Sequence, residues 1–304
     1  MSLADFASQP TVSPVYVQNG NSPWAQRYSQ ELQSVVLRYA DRLPRNVQRH
    51  LGPSELGHQC SRMLVGKMAG FSLHGSAGAI GNAYVWSSVV GTALHSFMEE
   101  AFTWDSVEGL NPGRWFTERR VTPDPGAEQP HPGTADMYDG LYRAVVDWKC
   151  QSEAVRTRLR RDGPPVHYSV QMLLYAVGYM LLGFEVERVV LVSWPRTKST
   201  LEDMYVWEHT ITNDDLRLVQ DVLDKTEIRE QIAKLVTAGE MSFWDVPPTP
   251  GADCTWCPFH NPAALQDRSP NGCPGMSLLK LQRSKRSRSS RRAGCLTPAR
   301  GVLS

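Results

Sequence analysis

The sequence predicts an α/β protein, a small central sheet with helical flanks, and three observations predict it. Apolar residues recur at helical spacing in the first part of the chain, as in Leu32, Val35, Val36 and Tyr39. The period then changes between residues 114 and 150. Trp115 to Val121, Thr134 to Tyr138 and Leu141 to Lys149 read as short extended segments around the Pro-rich loop Thr122 to Pro132. Helical and strand-like stretches alternate afterwards, and no long-period repeat recurs, which excludes a solenoid.

In order along the chain, Pro23 to Leu43 is a helix stopped by a Pro-Arg break. From Gly52 to Gly70, Pro53-Ser54-Glu55 opens a helix whose stripe is Leu56, Cys60, Met63, Leu64 and Met68. The Gly and Ser stretch Ser72 to Gly81 interrupts the pattern, and Tyr84 to Phe102 is a helix carrying His95. After the extended segments come a helix, Tyr168 to Leu182, then strands at Arg188 to Trp194 and Met204 to His209. A long amphipathic helix, Asp214 to Ala238, follows a Thr-Asn-Asp cap. The chain thus divides into an irregular segment (1–22), a folded body (23–275) and a basic tail (276–304).

The 304 residues are 41% hydrophobic and 21% charged, which suits a protein with a buried core. The formal net charge of +1 conceals an asymmetry. Lys280, Arg283, Lys285, Arg286, Arg288, Arg291, Arg292 and Arg300 lie beyond residue 275 with no acid among them. That leaves 24 basic and 31 acidic groups, a net charge of −7, on the preceding residues. The longest uncharged apolar run, Tyr168 to Phe184, is short for a bilayer and contains Gln171, so a buried helix is expected and no membrane association. Met1 to Ser22 lacks a signal-peptide pattern, so the expected location is the cytoplasm, where six cysteines serve metals or chemistry more often than disulfides.

The segment Gly133-Thr-Ala-Asp136, followed by Val145-Val-Asp147-Trp-Lys149, carries the most chemistry. Two acids that reach one point hold a hard divalent cation. A lysine two residues after the second acid lies on the same strand face and meets a phosphate or an attacking water. Standing alone, such a triplet is common in solvated hairpins. His95, in Gly91-Thr-Ala-Leu-His95, adds an imidazole from a helix before the sheet. Gln171 and Tyr175, at i and i+4, face one way on the helix after it. Opposed residues of an antiparallel hairpin have a constant sum of positions. Asp136 and Asp147 therefore face each other only if the turn centres between Leu141 and Tyr142, whereas a tight turn at Asp139-Gly140 would set Asp136 against Arg143.

Taken in this order, Gly-x-x-x-His, Gly-x-x-Asp, Val-Val-Asp-x-Lys and Gln-x-x-x-Tyr resemble the RecB-like branch of the PD-(D/E)XK nucleases over roughly residues 50 to 275. The resemblance implies a restriction-endonuclease-like core. His95, Asp136 and Asp147 would bind Mg2+ or Mn2+, Lys149 would offset charge or position water, and Gln171 and Tyr175 would support the site and the DNA strand. It implies a metal-dependent DNA exonuclease acting on single-stranded ends, 5′ to 3′, in replication, recombination, repair or CRISPR-type end processing. Replication or recombination proteins would be its partners, in a bacterial cytoplasm and from a bacterial or bacteriophage gene.

Cys254-Thr-Trp-Cys257 and Cys273 form a three-thiolate set near the end of the folded body, and paired thiols at this spacing bite one metal or cluster. With Cys60 upstream, the arrangement resembles the iron-sulfur RecB-like nucleases, which include the CRISPR-associated exonuclease family (Cas four), bacteriophage relatives and AddB helicase-nuclease subunits. That resemblance implies a four-iron four-sulfur (4Fe-4S) cluster on Cys60, Cys254, Cys257 and Cys273. The fifteen residues between Cys257 and Cys273 are more than in the CRISPR-associated members, and His260 is a rival fourth ligand for zinc. Cys150 is expected to be a small buried strand residue, and Cys295 lies in the tail. The tail would attract a phosphate backbone without reading its sequence. Two other functions stay open: a non-catalytic DNA-binding accessory of the same fold, which has no need of the His, Asp, Asp, Lys set, and a zinc-stabilised structural protein.

Overall fold

A computed structural model describes residues 23–40, 50–71, 77–197, 200–251, 254, 257–267 and 272–275. The expected irregular N-terminal segment and the basic tail, with Cys295, lie outside the described residues. The chain divides into the units Met1–Asn46 and Val47–Ser304. What is described of the first is helix α1 (Pro23–Ala40), whose apolar side chains Leu32, Val35, Val36 and Tyr39 are exposed.

In the second unit, α2 (Pro53–Leu56) and α3 (Ser61–Met68) replace the single helix expected from the stripe. Packing breaks it. A Cβ at Gly57 would lie 2.8 Å from the His167 Cα, so the chain here runs against another backbone and resumes its helix with Cys60 as N-cap. Leu56 and Leu64 still bury fully. Helix α4 (Ala77–Val107) starts earlier than expected, because a helix that forms further on extends cooperatively through small residues.

Strands β1 (Trp115–Val121), β2 (Gly133–Asp139) and β3 (Ala144–Gln151) make an antiparallel meander. Helices α5 (Glu153–Asp162) and α6 (Val166–Leu181) then lead to β4 (Arg188–Pro195), which runs parallel to β3. Strand β5 (Tyr205–Thr210) pairs antiparallel with β4, giving a five-stranded sheet of order β1-β2-β3-β4-β5. The expected strand at Leu141 to Lys149 begins only at Ala144, because residues 140–143 form the turn.

Helix α5 escaped sequence analysis because charge dominates it and one of its two buried residues is Arg156, only 1% exposed. That guanidinium pairs with Glu153 and donates to the Asp203 carbonyl at 2.8 Å, so an inward-facing residue carries no apolar signal. Helix α7 (Asn213–Thr237) has the expected cap. Thr212 accepts from the Asp215 N–H, and Asp215 accepts in return from the Thr212 N–H at 2.8 Å. A last short helix, α8, spans Ala264–Asp267.

Side-chain alternation gives the sheet an apolar cluster on each face. Val145, Val189 and Leu191 pack against Val170, Leu173 and Leu174 of α6. On the opposite face Val146, Trp148, Val192 and Trp194 pack against Leu94, Met98 and Phe102 of α4. A third cluster, with Val65, Ala233, Phe243, Phe259 and Cys273, ties α3 and α7 to the C-terminal segment. Among the described residues no helix is long and apolar enough to cross a membrane.

Candidate functional site

The hairpin between β2 and β3 pairs Met137 with Val146, Tyr138 with Val145 and Asp139 with Ala144, so its turn centres between Leu141 and Tyr142. This is the wide turn that opposing Asp136 and Asp147 requires. The Asp139 carboxylate builds it by accepting the Leu141 N–H at 2.9 Å and the Tyr142 N–H at 3.3 Å, with Arg143 in the left-handed region at φ 50°. Arg114 locks that carboxylate with two hydrogen bonds of 2.9 and 2.7 Å. The glycine of Gly-x-x-Asp also has a packing reason, since a Cβ at Gly133 would lie 2.6 Å from the Pro53 ring.

Beyond the Met137–Val146 pair the β2–β3 ladder stops, and the Asp136 Oδ2 accepts the Trp148 backbone N–H at 2.6 Å. The Asp136 Oδ1 lies 3.3 Å from His95 Nδ1, and this hydrogen bond raises the imidazole pKa against the opposing effect of burial. Asp147, 1% exposed, is gripped by two motif residues: Gln171 Nε2 donates to Oδ1 at 3.0 Å, and Lys149 Nζ stands 2.6 Å from Oδ2. Burial pushes the Asp147 carboxyl up to about 6 and the Lys149 ammonium limits the rise. Burial pulls Lys149 down, but the Asp147 and Asp136 carboxylates outweigh it and hold the ammonium above its ordinary pKa. Lys149 also lies 5.1 Å from the Tyr168 ring centre. Tyr175, one turn beyond Gln171, is buried, and burial first and Asp147 second raise its phenol pKa.

All six residues read from the motif order thus converge, from α4, β2, β3 and α6. One neighbour was missed. Donor atoms of His95, Glu118 and Asp136 lie within 4.8 Å of one another, and Glu118 comes from β1. The only sequence signal for it is an acid inside an otherwise ordinary strand, which spacing cannot tell from a solvated residue.

The cysteines meet elsewhere. Cys60, Cys254, Cys257 and Cys273 line one cavity of about 480 Å³ with His260. The sulfurs accept N–H groups. Thr249 donates to Cys60 at 3.4 Å, Gly251 to Cys254 at 3.3 Å and the buried Arg62 guanidinium to Cys273 at 3.7 Å. Burial raises the Cys257 thiol to about 11, and a backbone N–H at Phe259 opposes it. Four thiols, each with a donor on sulfur, fit a multi-thiolate centre, because metal-bound sulfur retains lone pairs that such donors stabilise. Cys150 is half-buried on β3 rather than fully buried, and it does not line the cavity.

Residues 133–261 match the family model described as the PD-(D/E)XK nuclease superfamily. No curated protein matches the chain. Solved structures similar to it include SSO0001, at 15% identity over 82% of this chain and 96% of that one, with a TM-score of 0.44. An alkaline exonuclease from Laribacter hongkongensis is 11% identical over 64% of this chain and 97% of its own, with a TM-score of 0.41. A phage related exonuclease from Haemophilus somnus 129PT is 13% identical over 62% and 96%, with a TM-score of 0.32. The stretch that carries Asp136, Asp147, Lys149, Gln171 and Tyr175, on a mixed α/β fold with a five-stranded sheet, is therefore the part of the chain that matches the PD-(D/E)XK nuclease superfamily.

Proposed function

We propose that the protein is a metal-dependent DNA exonuclease that hydrolyses phosphodiester bonds at single-stranded ends, in the 5′ to 3′ direction, during recombination, replication, repair or CRISPR-type end processing. The observation that carries this reading is the grip on Asp147: a carboxylate 1% exposed, held at 2.6 Å by Lys149 and at 3.0 Å by Gln171, beside Asp136 and His95. Buried charge of this kind is costly to fold and is concentrated at sites of chemistry.

Mg2+ or Mn2+ at His95, Asp136 and Asp147 would supply Lewis acidity toward a phosphate and acidify water at the site. The chain's own residues do the rest. Gln171 fixes the Asp147 carboxylate, and the Trp148 N–H fixes that of Asp136, so neither must reorganise during reaction. Lys149 projects from the same face of β3 as Asp147 and offsets the negative charge that grows on phosphorus during in-line attack by water. Tyr175 supports Gln171 from the next turn of α6.

The four cysteines would hold a 4Fe-4S cluster, which would join segments nearly two hundred residues apart in sequence. The N–H groups on their sulfurs support this reading. His260 on the same cavity favours one rival, a zinc site on Cys254, Cys257, Cys273 and His260. Iron and acid-labile sulfide in freshly purified protein decide for the cluster, and stoichiometric zinc decides for the rival.

An anaerobic assay on end-labelled single- and double-stranded DNA, with Mg2+, Mn2+ or chelator, tests the activity. Shortening of single strands from the 5′ end that chelator abolishes is expected. Binding without cleavage in both metals would leave a DNA-binding accessory instead.

A further inference from the structure

Strand β1 pairs with β2 in a regular register on either side of one step. Thr117 faces Met137 and Arg119 faces Ala135, so the step between them sets Glu118 opposite Asp136, and that pairing is broken. Glu118 has φ 46°, a backbone conformation that side-chain-bearing residues rarely adopt in a strand.

The break switches faces. Before it, Trp115 packs with Phe102 of α4 and Thr117 hydrogen-bonds Thr103 of α4 at 2.8 Å, while Phe116 belongs to the opposite core. After it, Arg119 lies over Phe184 and Val121 packs against Gly178 of α6, both on the face that Phe116 occupies. Ordinary alternation would send Glu118 to the α6 face and Arg119 to the α4 face. The kink instead leaves Glu118 on the α4 side, where His95 lies, with its carboxylate within 4.8 Å of the donor atoms of His95 and Asp136.

We infer that Glu118 is a further ligand of the divalent-cation centre, joining Asp136 of the sheet and His95 of α4 in one His95–Glu118–Asp136 set. The inference rests on the proposed metal-dependent reading and adds to it a residue outside the motif order. Two carboxylates brought this close repel each other unless a cation lies between them. With Asp147, the centre would draw one imidazole and three carboxylates and still leave a third of an octahedral coordination sphere open for water and phosphate. Asp147, the other acid of the proposed centre, is held beside this set by Lys149 and Gln171.

The test uses the full chain and Mn2+ itself. Calorimetric titration and metal-free thermal melting are measured for the parent, Glu118→Gln, Glu118→Gly and Asp136→Asn. Glu118→Gly suits the positive φ and keeps the test valid if the glutamine variant folds poorly. Loss of Mn2+ affinity by about tenfold or more in both Glu118 variants is expected, as is cleavage that recovers at higher Mn2+. Metal-free melting of Glu118→Gln should be unchanged or higher, because a like charge has gone. Parent-like Mn2+ affinity in the Glu118 variants, with affinity lost in Asp136→Asn, would overturn this inference and leave the nuclease reading standing. A parent that binds no Mn2+ would overturn both.

Discussion

Asp136 and Trp148 meet through a side chain where two strands would ordinarily use backbone: the Asp136 Oδ2 accepts the Trp148 N–H at 2.6 Å. The ladder between β2 and β3 has ended one pair earlier, so the strands part around the site and the carboxylate satisfies a donor that would otherwise be buried alone. The residue thus has a structural role beside the chemical one proposed for it.

Substitution separates the two roles. Asp136→Asn keeps an acceptor for Trp148, so it should fold as the parent does and lose cleavage. Asp136→Ala should lose cleavage and also about 1–3 kcal/mol of stability by orphaning the donor. Denaturant melts with a cleavage assay check this, and full activity in either variant removes Asp136 from the site. Asp147→Ala should likewise abolish cleavage while DNA binding persists.

Lys149 restrains the rise of the Asp147 pKa, which burial already pushes up to about 6. Lys149→Ala should slow cleavage strongly and move the acid limb of the pH–rate profile to higher pH, because the carboxylate then ionises later. The profile on single-stranded DNA reads this directly. An unmoved limb at parental rate would make the lysine a bystander.

Cys60→Ser and Cys254→Ser should lose iron and sulfide to the same extent, since both line one cavity, whereas Cys150→Ser should retain them. Limited proteolysis should show loosening at both segments that meet there. Retained iron in Cys60→Ser, with loss in His260→Ala, would assign the fourth ligand to the imidazole.

Gly57→Ala should destabilise the protein by about 1–3 kcal/mol, because its Cβ would meet backbone at 2.8 Å, which a side chain's rotation cannot relieve. The same change should disturb the approach of Cys60, measurable as lower iron retention. A variant with parental melting and iron content would show that α6 yields at this point.

At the start of α7, burial opposes ionisation of Asp215, yet hydrogen bonds from Thr212 and His209 prevail and hold the carboxyl below its ordinary pKa of 3.8. A depressed folded pKa adds stability above the ordinary value and forfeits it as pH falls through the folded one. Asp215→Ala should therefore cost about 1 kcal/mol at neutral pH, with the gap to the parent closing below the ordinary pKa. Urea titrations at neutral and strongly acid pH measure it, and a gap independent of pH would assign the effect to helix propensity.

What the sequence determined by itself is what local covalent periodicity can carry. The change from helical to alternating pattern near residue 114 marks the sheet, the Thr212 cap marks α7, and the arithmetic of a hairpin tied an Asp136–Asp147 pairing to a turn centred between Leu141 and Tyr142, the turn that the register has. The order of motifs also named six side chains that the fold brings together, though not Glu118 beside them. Contacts between distant segments decided the rest. Helix α5 turns a charged arginine inward, so its stripe was silent, and the helix expected through Cys60 breaks where Gly57 meets the α6 backbone. Glu118 reaches His95 because one backbone angle reverses sign and exchanges the faces of β1. No local periodicity marks that reversal, because a left-handed φ at a glutamate runs against what the residue type favours.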